Sequence, residues 1–219
     1  MYYNIGWNIE QLWKGCILAG IAHAIMVSHY PCIENEHSWD GINYSVQDSE
    51  GQRGTITFYK SHCVAAFRND YSERAKNELS IEHFFSGASE EIINIARTET
   101  LQYLLDEVNG EIKPHITTAF WGKDKLYSND NFDVMLNNGG SLLKYQVLKS
   151  DISMKAWQEY YEMSEEQVQL LKTIYRRKLD NPANPIMLLA QEVKMIGEDY
   201  EDGLKESKNA FEEMNIYLV

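Results

Sequence analysis

The sequence predicts an α+β fold, a mostly antiparallel sheet packed by helices with an all-helical C-terminal region, and three observations carry that prediction. Residues near 42–67 and near 116–128 alternate apolar and polar side chains, interrupted by glycine and aspartate turns. Two other stretches, near 9–29 and 89–109, repeat their apolar side chains every three or four positions. Beyond about residue 150 only helical spacing remains, which divides the chain into an α+β core domain, residues 1–149, and a helical region, residues 150–219, docked on it.

Asn8 is placed to cap the first helix, whose Ile9, Leu12, Cys16, Ile17, Ile21, Ala24 and Ile25 recur at helical spacing. The helix is expected to stop before Pro31. Gly15, Ala19, Gly20, Ala22 and Ala24 leave part of its surface low enough for another backbone to approach, and the expected partner is the sheet. The same apolar run, residues 12–27, fails as a targeting or membrane segment: it lacks a basic flank, carries Lys14 and His23, and is short for a bilayer.

After Gly41 the period becomes two. Ile42, Tyr44 and Val46 face one way and Asn43, Ser45 and Gln47 the other. Asp48, Gly51 and Gly54 mark a turn, Ile56 and Phe58 resume the alternation, and Cys63–Phe67 is apolar on both faces, as a central strand would be. Residues 69–80 are polar and irregular, with room for a helical turn. Ser89, followed by Glu90 and Glu91, opens a helix carrying Ile92, Ala96, Leu101, Leu104, Leu105 and Val108 to an end at Asn109-Gly110. A second hairpin follows over 116–128, then a short helix capped by Asp130 and ended by Gly139-Gly140. Residues 152–162 read as helix, Ser164 and Gln167 form a capping box for the next, and Pro185 is placed to start another. In the tail, Tyr200, Leu204, Ser207, Phe211 and Met214 form a narrow stripe on an acidic helix, suited to lying along a larger body.

Composition bounds the function. A chain of 219 residues with 44% apolar and 24% charged residues can bury a core without disulfides or metals. A formal net charge of −13 argues against a nucleic-acid surface, and Arg176-Arg177-Lys178 sits where cations complement a helix C-terminus. Three cysteines without C-x-x-C spacing fit reduced thiols in a cytoplasmic setting. No membrane segment is expected, and no cofactor signature is present: G-x-S-x-G, the nucleotide P-loop and G-x-G-x-x-G are all missing from the sequence.

The residues with the most chemistry lie between 34 and 63. Glu34, His37 and His62 are candidate metal ligands, and His37, Asp40 and His62 candidate acid-base groups, if the histidines converge at one end of the sheet. No spacing fixes two ligands on one element, and alternation along a strand sends His62 and Cys63 to opposite faces. Asp40 and Gly41 also suit a plain turn, and Trp39 a sheet edge. Candidates for contact with a partner are Trp39, the loop residues Glu50 and Arg53, and Tyr71; the chain has 14 tyrosines and 5 tryptophans, side chains that interfaces favour.

In general character this acidic α+β chain without a catalytic signature resembles the small inhibitor or immunity proteins that bacteria keep against their own toxins. The resemblance is one of composition and rests on no motif. It implies a non-enzymatic soluble binding protein that sets an acidic, Tyr-rich surface against a basic protein partner. Two further expectations stand beside it: a metal-assisted hydrolase around His37, Asp40 and His62, and an oligomeric structural protein assembled through its C-terminal helices.

Overall fold

The computed structural model describes residues 2–77, 79–108, 110–197, 200 and 202–219. In chain order the elements of its first half are β1 (Tyr3–Asn4), α1 (Ile9–Met26), β2 (His37–Asp40), β3 (Asn43–Gln47), β4 (Gln52–Tyr59), β5 (His62–Asn69), α2 (Glu73–Lys76), α3 (Ile81–Phe84), α4 (Glu90–Thr98), β6 (Leu105–Val108) and β7 (Glu111–Pro114). There follow β8 (Thr118–Gly122), β9 (Leu126–Ser128), α5 (Phe132–Asn137), α6 (Ser150–Tyr160), α7 (Glu165–Asp180), β10 (Ile186–Leu188), α8 (Ala190–Ile196), α9 (Gly203–Glu212) and β11 (Ile216–Leu218). The chain is an α+β protein with a seven-stranded antiparallel sheet and a largely helical C-terminal region.

It divides into two compact units. One comprises Met1–Glu10 and Ile42–Lys144, the other Gln11–Gly41 and Tyr145–Val219. Residues 11–41 thus group with the segment that follows Lys144.

The first unit holds six strands of the seven-stranded sheet, in the order β1-β9-β8-β5-β4-β3. The register sets Tyr44, Ile56, Ala65 and Phe120 side by side across four strands, all fully buried. Alternation sends the neighbouring row, including Val64 and Trp121, to the opposite face. There Val64, Ala66, Ala119 and Trp121 pack with Phe84, Phe85, Ile92, Ile95, Leu101 and Leu104. Polar groups on this face are paired: Thr57 Oγ1 lies 2.7 Å from both Asn43 Oδ1 and Thr100 Oγ1. On the other face Phe120 receives the edge of Trp7, and the Phe67 ring covers Gly54, where a Cβ would fall 2.1 Å from it.

Two sequence expectations change in this unit. The helix opened by Ser89 ends at Thr98 instead of running to residue 109; a 3-10 turn, Thr100–Leu104, and the β6–β7 hairpin take over. Leu101, Leu104, Leu105 and Val108 satisfy helical spacing, but Asn-Gly flanked by two short runs is also a hairpin signal, and Gly110 adopts φ +83°. Asn109 itself lies outside the described residues. Asp130 does not cap α5: Asn131 does, accepting from Val134 N at 3.0 Å. Asp130 instead takes the forked Arg74 guanidinium at 2.7 and 2.8 Å and the Thr118 hydroxyl at 2.7 Å, which ties α2 to β8.

The second unit is built around α1. Its small residues do admit close neighbours: a Cβ on Gly15 would fall 1.9 Å from Gln146 O, and one on Gly20 2.9 Å from both Met214 Sδ and Trp39 Nε1; just past the helix end, a Cβ on Gly203 of α9 would fall 2.4 Å from Ser28 O. Ser207 Oγ donates to Ala24 O, and Tyr200 OH to Val27 O at 2.9 Å. Ser207, Phe211 and Met214 of the expected tail stripe are buried. The capping box of Ser164 and Gln167 opens α7. The C-terminal region also carries a parallel strand pair, β10 with β11. Strands of three residues are too short to show a period of two, and Pro185 precedes β10 where a helix start was expected. No helix among the described residues is long and apolar enough to cross a membrane.

Candidate functional site

The chemistry-bearing residues of 34–63 are divided between the two units. His37 belongs to the second unit and His62 to the first. His62 Nε2 lies 3.6 Å from Glu91 Oε2 within its own unit. Glu34 and Asp40 are exposed. Among the described residues no three His, Cys, Asp or Glu side chains are arranged to hold a metal ion. Cys63 is fully buried, and burial pushes its thiol far above the ordinary range, which removes it as a nucleophile.

His37 is 6% exposed and enclosed by rings. His23 of α1 stands 5.5 Å away, centroid to centroid, and Trp157 of α6 stands 5.2 Å away, both edge to face. Trp157 continues into Tyr145, Tyr160 and Tyr161 at 5.0–5.6 Å. Glu36 closes this cluster, accepting from Tyr160 OH at 2.6 Å and Tyr161 OH at 2.9 Å. Burial lowers His23 to about 4, against a hydrogen bond to the Glu34 backbone that acts in the opposite direction. Burial also lowers His37 well below its ordinary value, and His23 adds to the effect. Both imidazoles are therefore neutral near pH 7. His37, Trp157 and Tyr161 are buried in this cluster, while Tyr160 is 46% exposed at its margin. Sequence reasoning missed it; the spacing of Trp157, Tyr160 and Tyr161, three and four apart on one helix, was its visible part.

The partner-contact candidates fare differently. Trp39 is 8% exposed, its backbone N–H donates to Glu213 Oε2 at 2.7 Å, and its ring lies against Gly20, so it offers little surface to a partner. Burial, together with nearby Asp40, raises the Glu213 carboxyl above its ordinary value, against the Trp39 N–H.

Glu50, Arg53 and Tyr71 meet at one end of the sheet. The β3–β4 turn is fixed by Asp48 Oδ1, which accepts from Glu50 N at 3.0 Å and Gln52 N at 2.8 Å, and by Gly51 at φ +82°. The end of β5 is tied to that turn, since Asp70 N donates to Gly51 O at 3.1 Å. Tyr71 N donates to Asn69 Oδ1 at 3.0 Å, and Tyr71 is 78% exposed. Below this rim Arg53 and Arg68, cross-strand neighbours, both turn toward Asp106, and Arg68 also holds Asp70. Burial lowers the Arg53 guanidinium from its ordinary value, and the Arg68 charge adds to this. The exposed Glu50 carboxylate and the Tyr71 ring therefore stand on hydrogen-bonded backbone, while Glu73 nearby is paired with Lys76 at 2.8 Å.

Comparison with known proteins adds no relative: no family model, no curated protein and no solved structure matches this chain.

Proposed function

We propose that this chain is a non-enzymatic binding protein that engages a basic protein partner through the acidic, tyrosine-bearing end of its sheet, in the manner of an inhibitor. The supporting observation is the meeting of Glu50, Arg53 and Tyr71 on one turn-and-strand end, with the Tyr71 ring projecting from it. A tyrosine held on rigid backbone loses little rotamer freedom when it is buried, and the surrounding carboxylates steer a cationic surface toward it. Arg53, turned inward to Asp106, supports the rim rather than facing a partner.

The chain, immobilised and exposed to its own cytosol, is expected to retain a basic protein that elutes as salt rises from about 0.1 to 0.5 M, where the Debye length falls below about 5 Å. The same protein is expected to be lost from Tyr71→Ala and Glu50→Lys columns. Retention indifferent to salt and to both substitutions refutes the proposal, as does the lack of any retained protein.

A further inference from the structure

The second unit carries a groove of about 340 Å3 lined by Val193, Leu204, Lys205, Lys208, Leu218 and Val219. Its volume is in the range of ligand sites, roughly 300–1,000 Å3. Four of the lining side chains are apolar, two are lysines, and no carboxylate side chain is among them. In a chain with 33 acidic and 20 basic side chains, a groove whose charged side chains among the described residues are both lysines stands apart from the bulk charge.

The groove runs beside a strand with spare hydrogen-bonding capacity. Ile186 N donates to Asn215 O at 3.0 Å and Val219 N to Leu188 O at 3.1 Å, which fixes the alternation of the parallel pair. Residues 215, 217 and 219 aim their backbone groups at β10, so Leu218 turns its N–H and C=O to the opposite side. Neither group meets a hydrogen-bond partner among the described residues, and β11 is an edge strand of a two-stranded sheet. Edge strands of this kind accept an added strand, in which main-chain bonds give affinity and alternate side chains give specificity.

We infer that this groove and the β11 edge form a docking surface for an extended peptide segment whose side chains alternate between apolar and acidic. A strand added along β11 directs every second side chain to the same face. Its apolar side chains meet Leu204, Leu218 and Val193, and its carboxylates meet Lys205 and Lys208. The two lysines reach Asp202 and Glu212 only at 3.9 and 3.8 Å, between exposed side chains, so these ion pairs are weak competitors. This surface is distinct from the acidic rim of the first unit and calls for a partner of opposite charge.

The test is to pan displayed random nonapeptides against the full chain, with the double variant K205E/K208E as counter-target. The expected result is enrichment of alternating apolar–acidic sequences. Synthetic peptides of those sequences should bind the wild-type chain about tenfold tighter than the double variant, a difference of about 1.4 kcal/mol. K205Q/K208Q, which removes charge without reversing it, should fall between the two. Amide exchange at Leu218 should slow when peptide is bound. Basic or unpatterned selected sequences, equal affinity for the double variant, or an unchanged Leu218 amide each overturn the inference. So does sedimentation showing a wild-type dimer that K205E/K208E dissociates, since a second copy of the chain would then be the occupant.

Discussion

One buried polar cluster in each unit shows a different means of burial. In the first, Asn43, Thr57 and Thr100 satisfy one another, and Arg74 forks onto Asp130 with Thr118 completing the carboxylate's bonds. In the second, two imidazoles and an indole sit among rings; His23 Nδ1 and Trp157 Nε1 have no hydrogen-bond partner among the described residues. A closed hydrogen-bond set rigidifies its surroundings, whereas a neutral buried imidazole is stable only while it stays neutral. The first interior is therefore vulnerable to loss of a partner, and the second to gain of a proton.

The largest expected effect comes from breaking a closed set. Arg74→Ala leaves Asp130, whose side chain is 8% exposed, without its cation, and should cost about 3 kcal/mol in urea unfolding. Arg74→Lys should recover only part of that, because an ammonium cannot reproduce the fork. If Arg74→Ala costs less than about 1 kcal/mol, the pair is not a structural anchor. Next is Gly15→Ala in the second unit: the added methyl meets the Gln146 carbonyl, which a rotamer change cannot move, and a loss of about 2 kcal/mol is expected. A neutral result would mean that α1 is free to shift from its neighbour.

The proton sensitivity comes third. His23 and His37 are depressed in the fold, so the unfolded chain takes up protons first as pH falls below about 6.5. Stability that is fully present above that pH should be lost toward about 4, where His23 itself titrates, with a slope near 1.4 kcal/mol per pH unit for each histidine. In His23→Leu/His37→Phe that part of the slope should vanish; an identical pH profile in the double variant would show that carboxylates set the acid limit. The smallest effect on folding is expected at the proposed contact surface, where Tyr71→Ala should change stability by less than about 0.5 kcal/mol while abolishing partner retention.

The meander was legible because its signals are local: alternation over residues 42–47, glycines at the turns, and an all-apolar third strand are each contained in a few residues. The β6–β7 hairpin was obscured because four apolar residues fit a helix and a hairpin alike, and the deciding Asn-Gly was read as a helix end. The ring cluster around His37 was hidden for a different reason. His37 draws its neighbours from α1 and α6, elements far apart in the chain, and no local pattern announces such a meeting. The rim of Glu50, Arg53 and Tyr71 was half legible: the residues were visible, but the tie between Asp70 and Gly51 that brings them together depends on strand register.

The discontinuity of the second unit bears on how the protein is made. Gln11–Gly41 leaves the ribosome well before Tyr145–Val219, the segment that covers α1. At roughly 5–20 residues per second, an almost wholly apolar helix waits on the order of ten seconds for its partners. Over that interval α1 is a nascent-chain hydrophobe, available to chaperones or to neighbouring chains on the same message. Yield of folded protein should therefore respond to translation rate and chaperone supply more steeply than equilibrium stability alone implies.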